Sequence, residues 1–209
     1  MFTLYYAPST CALASHIALV EAGAPYALKL VDFGKTEQRQ ADYLKVNPKA
    51  RVPSLATPRG ILTETPAMLA FIAQSFPAAN LARLDDAFAF AEVQAFNSYL
   101  CSTVHVAHAH GRRGSRWADD PPAIEAMQRK VTSNVGECFA LIQDRMLQGP
   151  WVMGERYTIC DPYLFTLASW LEGDGVDTAR LPAIMAHRAR MLARPAVQRA
   201  VEAEGTQIG

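Results

Sequence analysis

Two hydrophobic patterns of different period divide this chain, and the division constrains its fold more than any other sequence feature. Up to about residue 80, short apolar runs alternate with segments of helical periodicity. From about residue 85 onward strand signals are missing, and apolar residues recur at spacings of three and four, as in amphipathic helices. The sequence therefore predicts an α/β unit followed by an all-helical unit.

The N-terminal unit is predicted to have the element order β-α-β-α-β-β-α. Its strands are expected at residues 2–6, 26–31, 53–56 and 61–63, which are apolar or aromatic runs bounded by turn residues. The first strand, first helix and second strand form a unit whose strands should pair in parallel through a right-handed crossover. The last two strands flank a short turn and should form an antiparallel hairpin.

The C-terminal unit is predicted to contain only helices. Long helical patterns cover residues 88–109 and 124–146, and further helices are expected from Thr158, at 181–191 and at 195–203. Residues 77–83 are the predicted linker. We therefore expect a first domain at residues 1–78 and a second at residues 84–209.

Charge and cysteine content exclude several classes of protein. Twenty basic residues balance twenty acidic ones, which argues against a general nucleic-acid-binding protein. No apolar stretch is long enough to span a membrane, and the N-terminus has the pattern of a strand and not of a signal peptide. The four cysteines are scattered without a C-x-x-C motif, so we expect a reduced, cytoplasmic protein.

Cys11 follows the first strand directly and lies at the predicted start of the first helix. Free N–H groups and the helix dipole favour an anion there, which can lower a thiol pKa and raise its reactivity. A small buried hydrophobic residue is the alternative role for a lone cysteine. Tyr5, Ser9 and Thr10 supply hydroxyl groups near the same helix start, although Tyr5 also fits a strand residue packed in the core.

Pro53 stands at the entry to the third strand. If the Val52–Pro53 peptide bond is cis, the backbone groups of Val52 face outward, and an exposed strand edge can pair with an extended peptide. An ordinary trans proline that opens a strand is the alternative.

Glu64 and Thr65 precede another helix start. Thr65 is predicted to cap this helix, the free N–H groups of its first turn can hold a carboxylate, and Glu64 can accept a hydrogen bond from a ligand ammonium group. A plain capping motif has the same sequence. Taken with Cys11 and Val52, these groups suit one small peptide, and a tripeptide thiol fits best.

Several motifs resemble those of bacterial beta-class glutathione S-transferases. They are residues 5–16 (YYAPSTCALASH), 47–55 (NPKARVPSL), 62–67 (LTETPA) and 154–166 (GERYTICDPYLFT). The resemblance extends over essentially the whole chain. It implies a thioredoxin-like N-terminal domain, an all-helical C-terminal domain, a homodimer, and glutathione as co-substrate without a metal.

The resemblance also assigns roles to single residues. It makes Cys11 the active-site cysteine beside the glutathione sulfur, and it places His105 where a histidine reaches the active site from the helical domain. The residues that it implies for glutathione binding are Val52 before a cis Pro53, Glu64, Thr65 and, only approximately, Lys35. Val106 follows His105, where the family usually has a lysine.

A capping box is expected at Thr158 and Asp161. Threonine caps the helix, and the aspartate three residues later returns a hydrogen bond. This motif supports folding and not chemistry.

Residues 105–120 contain three histidines, at positions 105, 108 and 110, and three arginines, Arg112, Arg113 and Arg116. A metal site is disfavoured because residues five apart do not share one helical face. His108 and the arginines, with Trp117, are candidates for an anion- or aromatic-binding wall. A salt-bridge network with Asp119 and Asp120 is the alternative.

Three functions follow from these residues. In the first, a glutathione S-transferase, glutathione attacks a hydrophobic electrophile as its thiolate, which Ser9, Thr10 and the helix start stabilise beside His105. In the second, a glutathione-dependent thiol–disulfide oxidoreductase, Cys11 forms a mixed disulfide by a monothiol route, because the sequence shows no second cysteine nearby. The third is a non-enzymatic binding protein of the same fold.

Overall fold

The computed structural model describes residues 1–206 and residue 208. Its sheet contains the strands β1 (Phe2–Tyr6), β2 (Tyr26–Leu30), β3 (Ser54–Thr57) and β4 (Gly60–Thr63), in the spatial order β2-β1-β3-β4. β1 and β2 are parallel, whereas β3 is antiparallel to both of its neighbours. The predicted parallel pair and the predicted hairpin are therefore confirmed.

Three helices accompany this sheet: α1 (Ala12–Glu21), α2 (Ala41–Leu44) and α3 (Thr65–Ser75). Leu4 and Leu55 at the centre of the sheet pack with Met68 and Ile72 of α3 in one fully buried cluster. This burial fixes the register of the central strands, because a slip of one residue would turn these leucines to the other face. The element order confirms the predicted thioredoxin-like arrangement.

Beyond α3, the described chain contains helices, turns and two isolated β-bridges, Trp151 with Gly154 and Met153 with Arg156, and no further strand. The helices are α4 (Ala87–Tyr99), α5 (His105–Arg113), α6 (Pro121–Leu141), α7 (Cys160–Ala168), α8 (Pro182–Leu192) and α9 (Pro195–Glu204). The all-helical second part is confirmed. Within residues 1–206, no helix is long and apolar enough to cross a membrane.

The prediction of a single helix over residues 88–109 is wrong in detail. A π-helical turn at Leu100–Val104 separates α4 from α5, and α5 continues to Arg113. A second π-helical turn, Ile142–Met146, ends the segment that begins with α6. A π-helical turn adds one residue to the helical repeat and so rotates the following residues around the helix axis. The apolar spacing of the sequence continues through the turn and therefore does not reveal it.

The helix α7 forms the centre of the helical part, and every one of its residues is buried. Its start is fixed by the predicted capping box: Asp161 Oδ2 accepts a 2.6 Å hydrogen bond from the Thr158 N–H, and Thr158 Oγ1 accepts from the Cys160 N–H at 3.3 Å. α1 packs against α7 and α9, so the helical part covers the sheet domain from one side.

Candidate active site

Three chain segments that are distant in sequence meet at the Cys11 thiol. Cys11 occupies the N-cap position of α1, and its thiol donates to the Val52 carbonyl at 3.7 Å. The side chain of Thr65 at the start of α3 also acts on this thiol and lowers its pKa. The Val52–Pro53 peptide bond is cis, as the resemblance implies. The loop after β1, the segment before β3 and the start of α3 thus form one site.

The Cys11 N–H at the helix start lowers the thiol pKa of Cys11 as expected, but burial outweighs this effect. Burial raises the pKa to about 11, and the opposing effects of the Thr65 side chain, the Arg113 charge and the Cys11 N–H are smaller. The expected net decrease is therefore wrong, because desolvation penalises the thiolate. Cys11 is therefore a protonated thiol at neutral pH.

Ser9 and Thr10 support the loop before α1. Thr10 Oγ1 donates to the Ala7 carbonyl at 2.7 Å and accepts from the Ala12 N–H at 3.3 Å, so Thr10 stabilises the start of α1 as predicted. Ser9 has a φ of 57°, and its N–H donates to Thr206 Oγ1 at 3.1 Å. Within the described residues, neither hydroxyl is hydrogen-bonded to the Cys11 thiol.

Tyr5 and Lys35 make local interactions. The Tyr5 ring packs against Tyr43 with centroids 5.8 Å apart, and Lys29 Nζ lies 5.2 Å from its centre, which matches the core interpretation of Tyr5. Lys35 Nζ is 3.4 Å from an Asp32 carboxylate oxygen, and its side chain is 75% exposed. Neither side chain is placed by a hydrogen bond to the Cys11 site.

The N-terminal end of α3 differs from the predicted capping arrangement. Glu64, with a φ of 72°, occupies the N-cap position, and Thr65 is the first helical residue. The left-handed backbone at Glu64 turns the chain, so that Thr65 is buried, lowers the pKa of the Cys11 thiol and does not cap the helix. The Glu64 carboxylate pairs with Lys49 Nζ, which also donates to Thr63 Oγ1 at 2.6 Å.

The three histidines of α5 pack against two different tryptophan rings. The His105 and His108 rings lie 5.2 and 4.3 Å from the Trp170 ring, whereas the His110 ring lies 4.6 Å from Trp117. His108 Nδ1 is held by the Asp174 carboxylate at 2.8 Å. In residues 1–206 no three His, Cys, Asp or Glu side chains are grouped as metal ligands.

His105 is neutral over the physiological pH range. Burial, followed by the charges of Arg113, His108, Arg116 and Arg51, lowers its pKa to about 3. A neutral imidazole can accept a hydrogen bond without adding positive charge to the site. His105 therefore has the polar character that the sequence analysis expects, without a charge.

We expect the unusual pKa of His105 to contribute to the acid sensitivity of the fold. An unfolded histidine titrates near pH 6.5, so between pH 6.5 and about 3 the unfolded state binds more protons, and the free energy of unfolding falls as the pH falls. In His105→Gln this contribution is absent. Urea unfolding midpoints measured from about pH 7 to about pH 4 should decline less steeply in the variant; parallel curves would contradict the assignment.

The arginines at the end of α5 and in the following turn do not form the salt-bridge network that was one expectation. Within the described residues Arg112, Arg113 and Arg116 have no carboxylate partner, and Asp120 instead caps α6 by accepting from the Ala123 N–H at 3.1 Å. Arg112 is exposed, whereas Arg113 is partly buried. This outcome favours the anion-binding interpretation.

Cys101, Tyr163 and Arg51 belong to the site but were not identified from the sequence. Burial raises the pKa of the Cys101 thiol, on which the Tyr163 side chain and the charges of Glu64 and Arg51 also act. Cys101 in turn acts electrostatically on the Cys11 thiol, and both cysteines are free. Cys101 lies in the π-helical turn between α4 and α5, a placement that no local sequence signal indicates.

Comparisons with known proteins agree on one family. The family described as "Glutathione S-transferase, N-terminal domain" matches residues 1–74. Glutathione S-transferase GstA of Escherichia coli O157:H7 is 33% identical over 97% of this chain and 98% of its own length. The chain belongs to the glutathione S-transferase family. Membership in a family of transferases confirms the expected enzyme and disfavours the non-enzymatic hypothesis.

Two solved structures show how closely the fold follows this family. A glutathione transferase homologue from Sulfitobacter with bound glutathione superposes with a TM-score of 0.94, at 44% identity over 99% of both chains. The beta-class glutathione S-transferase of Sphingomonas chungbukensis superposes with a TM-score of 0.84, at 30% identity over 98% of this chain and 100% of its own. The expected relation to bacterial glutathione S-transferases is confirmed.

Proposed function

We propose that this glutathione S-transferase binds glutathione at Cys11 and joins the sulfur of glutathione to an electrophilic small molecule. The observation that carries the proposal is the hydrogen bond of the Cys11 thiol, at the start of α1, to the Val52 carbonyl before the cis Pro53. Thr65 at the start of α3 also acts on this thiol. The glutathione bound to the Sulfitobacter homologue supports the same ligand here. Cys11 and His105 are the residues proposed to contact the reacting sulfur.

Backbone groups in this site suit a tripeptide. The Val52 N–H has no hydrogen-bond acceptor within residues 1–206 and 208, so it is available to the cysteinyl carbonyl of glutathione. The N–H groups at the start of α3, beside Thr65, suit the γ-glutamyl carboxylate. The ligand ammonium group would replace Lys49 as the partner of Glu64.

The proposed reaction forms one bond and breaks one bond. The glutathione thiol releases its proton to solvent, and the thiolate forms a carbon–sulfur bond with the electrophile, whose leaving group departs with its electron pair. Because Cys11 is protonated, its thiol can donate a hydrogen bond to the thiolate. The same protonation disfavours Cys11 as a nucleophile, so thiol–disulfide exchange is the weaker alternative.

The variant Cys11→Ser distinguishes the two reactions. Serine keeps a hydrogen-bond donor, so glutathione conjugation to chlorodinitrobenzene should remain within about tenfold of the wild-type kcat/KM. Thiol exchange between Cys11 and a glutathione mixed disulfide should vanish in Cys11→Ser, because serine cannot form a disulfide. Cys138→Ser on α6 is the matched control and should change neither activity.

Loss of conjugation by more than about a hundredfold in Cys11→Ser, with glutathione binding retained by calorimetry, would contradict this role of Cys11. Absence of glutathione binding to the wild-type protein would overturn the proposed function itself. One bound glutathione per chain is the expected result.

The proposal also covers the roles of the two domains, the location of the protein and its oligomeric state. We place the glutathione-binding domain at residues 1–78 and the domain that holds a hydrophobic electrophile at residues 84–209. We also propose that the protein is a cytoplasmic homodimer that detoxifies reactive compounds. The zero net charge supports a small-molecule substrate and not a nucleic acid.

A further inference from the structure

An arginine cluster lies beside the proposed glutathione site. Arg113 at the end of α5 and Arg116 in the following turn act electrostatically on His105, as does Arg51 from the segment before β3. The Arg116 guanidinium is also close enough to be affected by Arg39. Two separate parts of the chain thus direct positive charge at one place.

This positive charge has no ion-pair partner in the described chain. Arg113, Arg116 and Arg51 form no ion pair within residues 1–206 and 208, and the Asp174 carboxylate, which contacts His108, acts on Arg113 only from a distance. Arg116 and Arg51 are exposed, whereas the Nε atom of the partly buried Arg113 is buried without a hydrogen-bond acceptor. A buried, unpaired guanidinium nitrogen is costly, since burial removes hydrating water without replacing it. An anion would satisfy it.

Other buried arginines in this fold do have partners. Arg188 Nη1 donates to both Glu172 carboxylate oxygens at 2.7 and 3.0 Å. Arg194 donates to both Glu21 carboxylate oxygens at 2.6 and 3.0 Å. The lack of a partner for Arg113 is therefore particular to this cluster.

The surroundings of the cluster indicate the chemistry of its ligand. The neutral His105 ring and Trp170 offer aromatic surface, and Trp117 beside Arg116 is 47% exposed. The Arg113 charge also acts on the Cys11 thiol, so the cluster lies within electrostatic range of the proposed sulfur position. A guanidinium group binds a carboxylate through two parallel hydrogen bonds.

We infer that the electrophile of this enzyme carries a carboxylate, which Arg113 and Arg116 bind with support from Arg51. This inference rests on the proposed function and names its substrate class. The carboxylate stays intact in the reaction: glutathione sulfur attacks a carbon elsewhere in the molecule, the leaving group departs with its electron pair, and the thiol proton goes to solvent.

A matched pair of electrophiles tests the inference. Chloronitrobenzoate and chloronitrobenzamide differ in charge but present the same carbon–chlorine bond, and each rate is divided by its uncatalysed rate with glutathione. Wild-type enzyme should favour the carboxylate at least about tenfold in kcat/KM. Arg113→Gln should reduce the ratio of the carboxylate kcat/KM to the amide kcat/KM by about ten- to a hundredfold, as expected for the loss of a charged hydrogen bond. The amide rate of the variant reports the separate effect of losing the Arg113 charge that acts on Cys11.

Arg129→Gln is the matched control, since Arg129 is an exposed arginine on α6 and its loss changes the net charge equally. It should leave both rates unchanged. Equal rates for the two electrophiles in the wild type, or an equal decrease for both in Arg113→Gln, would overturn the inference.

Binding of the two preformed glutathione conjugates tests the same inference without turnover. By calorimetry the wild-type protein should bind the carboxylate conjugate at least about tenfold more tightly than the amide conjugate, and Arg113→Gln should remove the difference. If Arg113→Gln instead weakens free glutathione about tenfold and leaves the preference intact, the cluster binds a carboxylate of glutathione and the inference is wrong. Failure to bind any of the three ligands would overturn the proposed function and not the substrate class alone.

Discussion

Asp161→Ala is expected to destabilise the protein by about 3–5 kcal/mol, since removing one partner of a buried charged network leaves the others unsatisfied. Asp161 is fully buried and accepts hydrogen bonds from the Val152 N–H at 2.8 Å and the Thr158 N–H at 2.6 Å. His187 Nε2 lies 3.0 Å from Asp161 Oδ1, the oxygen that also accepts from the Val152 N–H. One carboxylate thus joins the loop before α7, the first turn of α7, and α8. Urea unfolding measures the loss.

The exposed cap of α4 provides the matched control for this experiment. Asp86 accepts hydrogen bonds from the Phe88 and Ala89 N–H groups, both at 3.0 Å, and its loss in Asp86→Ala should cost about 1 kcal/mol. Asp161→Asn, which keeps one oxygen acceptor, should fall between the two and remains measurable if Asp161→Ala does not fold. Equal effects of Asp161→Ala and Asp86→Ala would show that burial of the network contributes nothing.

Glu204→Ala should destabilise the protein by about 3 kcal/mol and weaken glutathione binding as well. The Glu204 carboxylate is buried, with His16 Nδ1 at 2.9 Å and Thr206 Oγ1 at 3.3 Å. Thr206 in turn accepts from the Ser9 N–H in the loop that leads to Cys11. The expected loss is at the low end for a buried pair, because His16 Nε2 keeps its contact with the Tyr26 hydroxyl at 2.9 Å.

Glu202→Ala is the control for Glu204→Ala, because Glu202 lies on the same helix and is exposed. Its effect on the free energy of unfolding should stay within about 0.5 kcal/mol. Urea unfolding gives the stability of both variants, and calorimetry with glutathione gives their affinity. Glutathione affinity that is unchanged in Glu204→Ala would show that the C-terminal contact with Ser9 does not position the Cys11 loop.

Local patterns predicted the elements of this fold well. The capping box at Thr158 and Asp161, the hairpin of β3 and β4, and the Thr10 contacts at α1 each depend on residues close in sequence. The π-helical turns were missed, because the spacing of apolar residues runs through them without interruption. Thr65 was misplaced by one position, since the left-handed backbone at Glu64 has no sequence signature in a non-glycine residue.

The order of elements, the family resemblance and the grouping of Cys11, Val52 and Thr65 could all be predicted from the sequence. The charge states in the site and the arginines that lack a partner depend on the folded chain and could not be. The pKa of Cys11 depends first on burial and then on Thr65 and Arg113, which α3 and α5 bring to the thiol. Desolvation and Coulomb energies depend on distances in space. For residues as far apart in the sequence as Cys11, Thr65 and Arg113, the separation along the chain does not specify those distances.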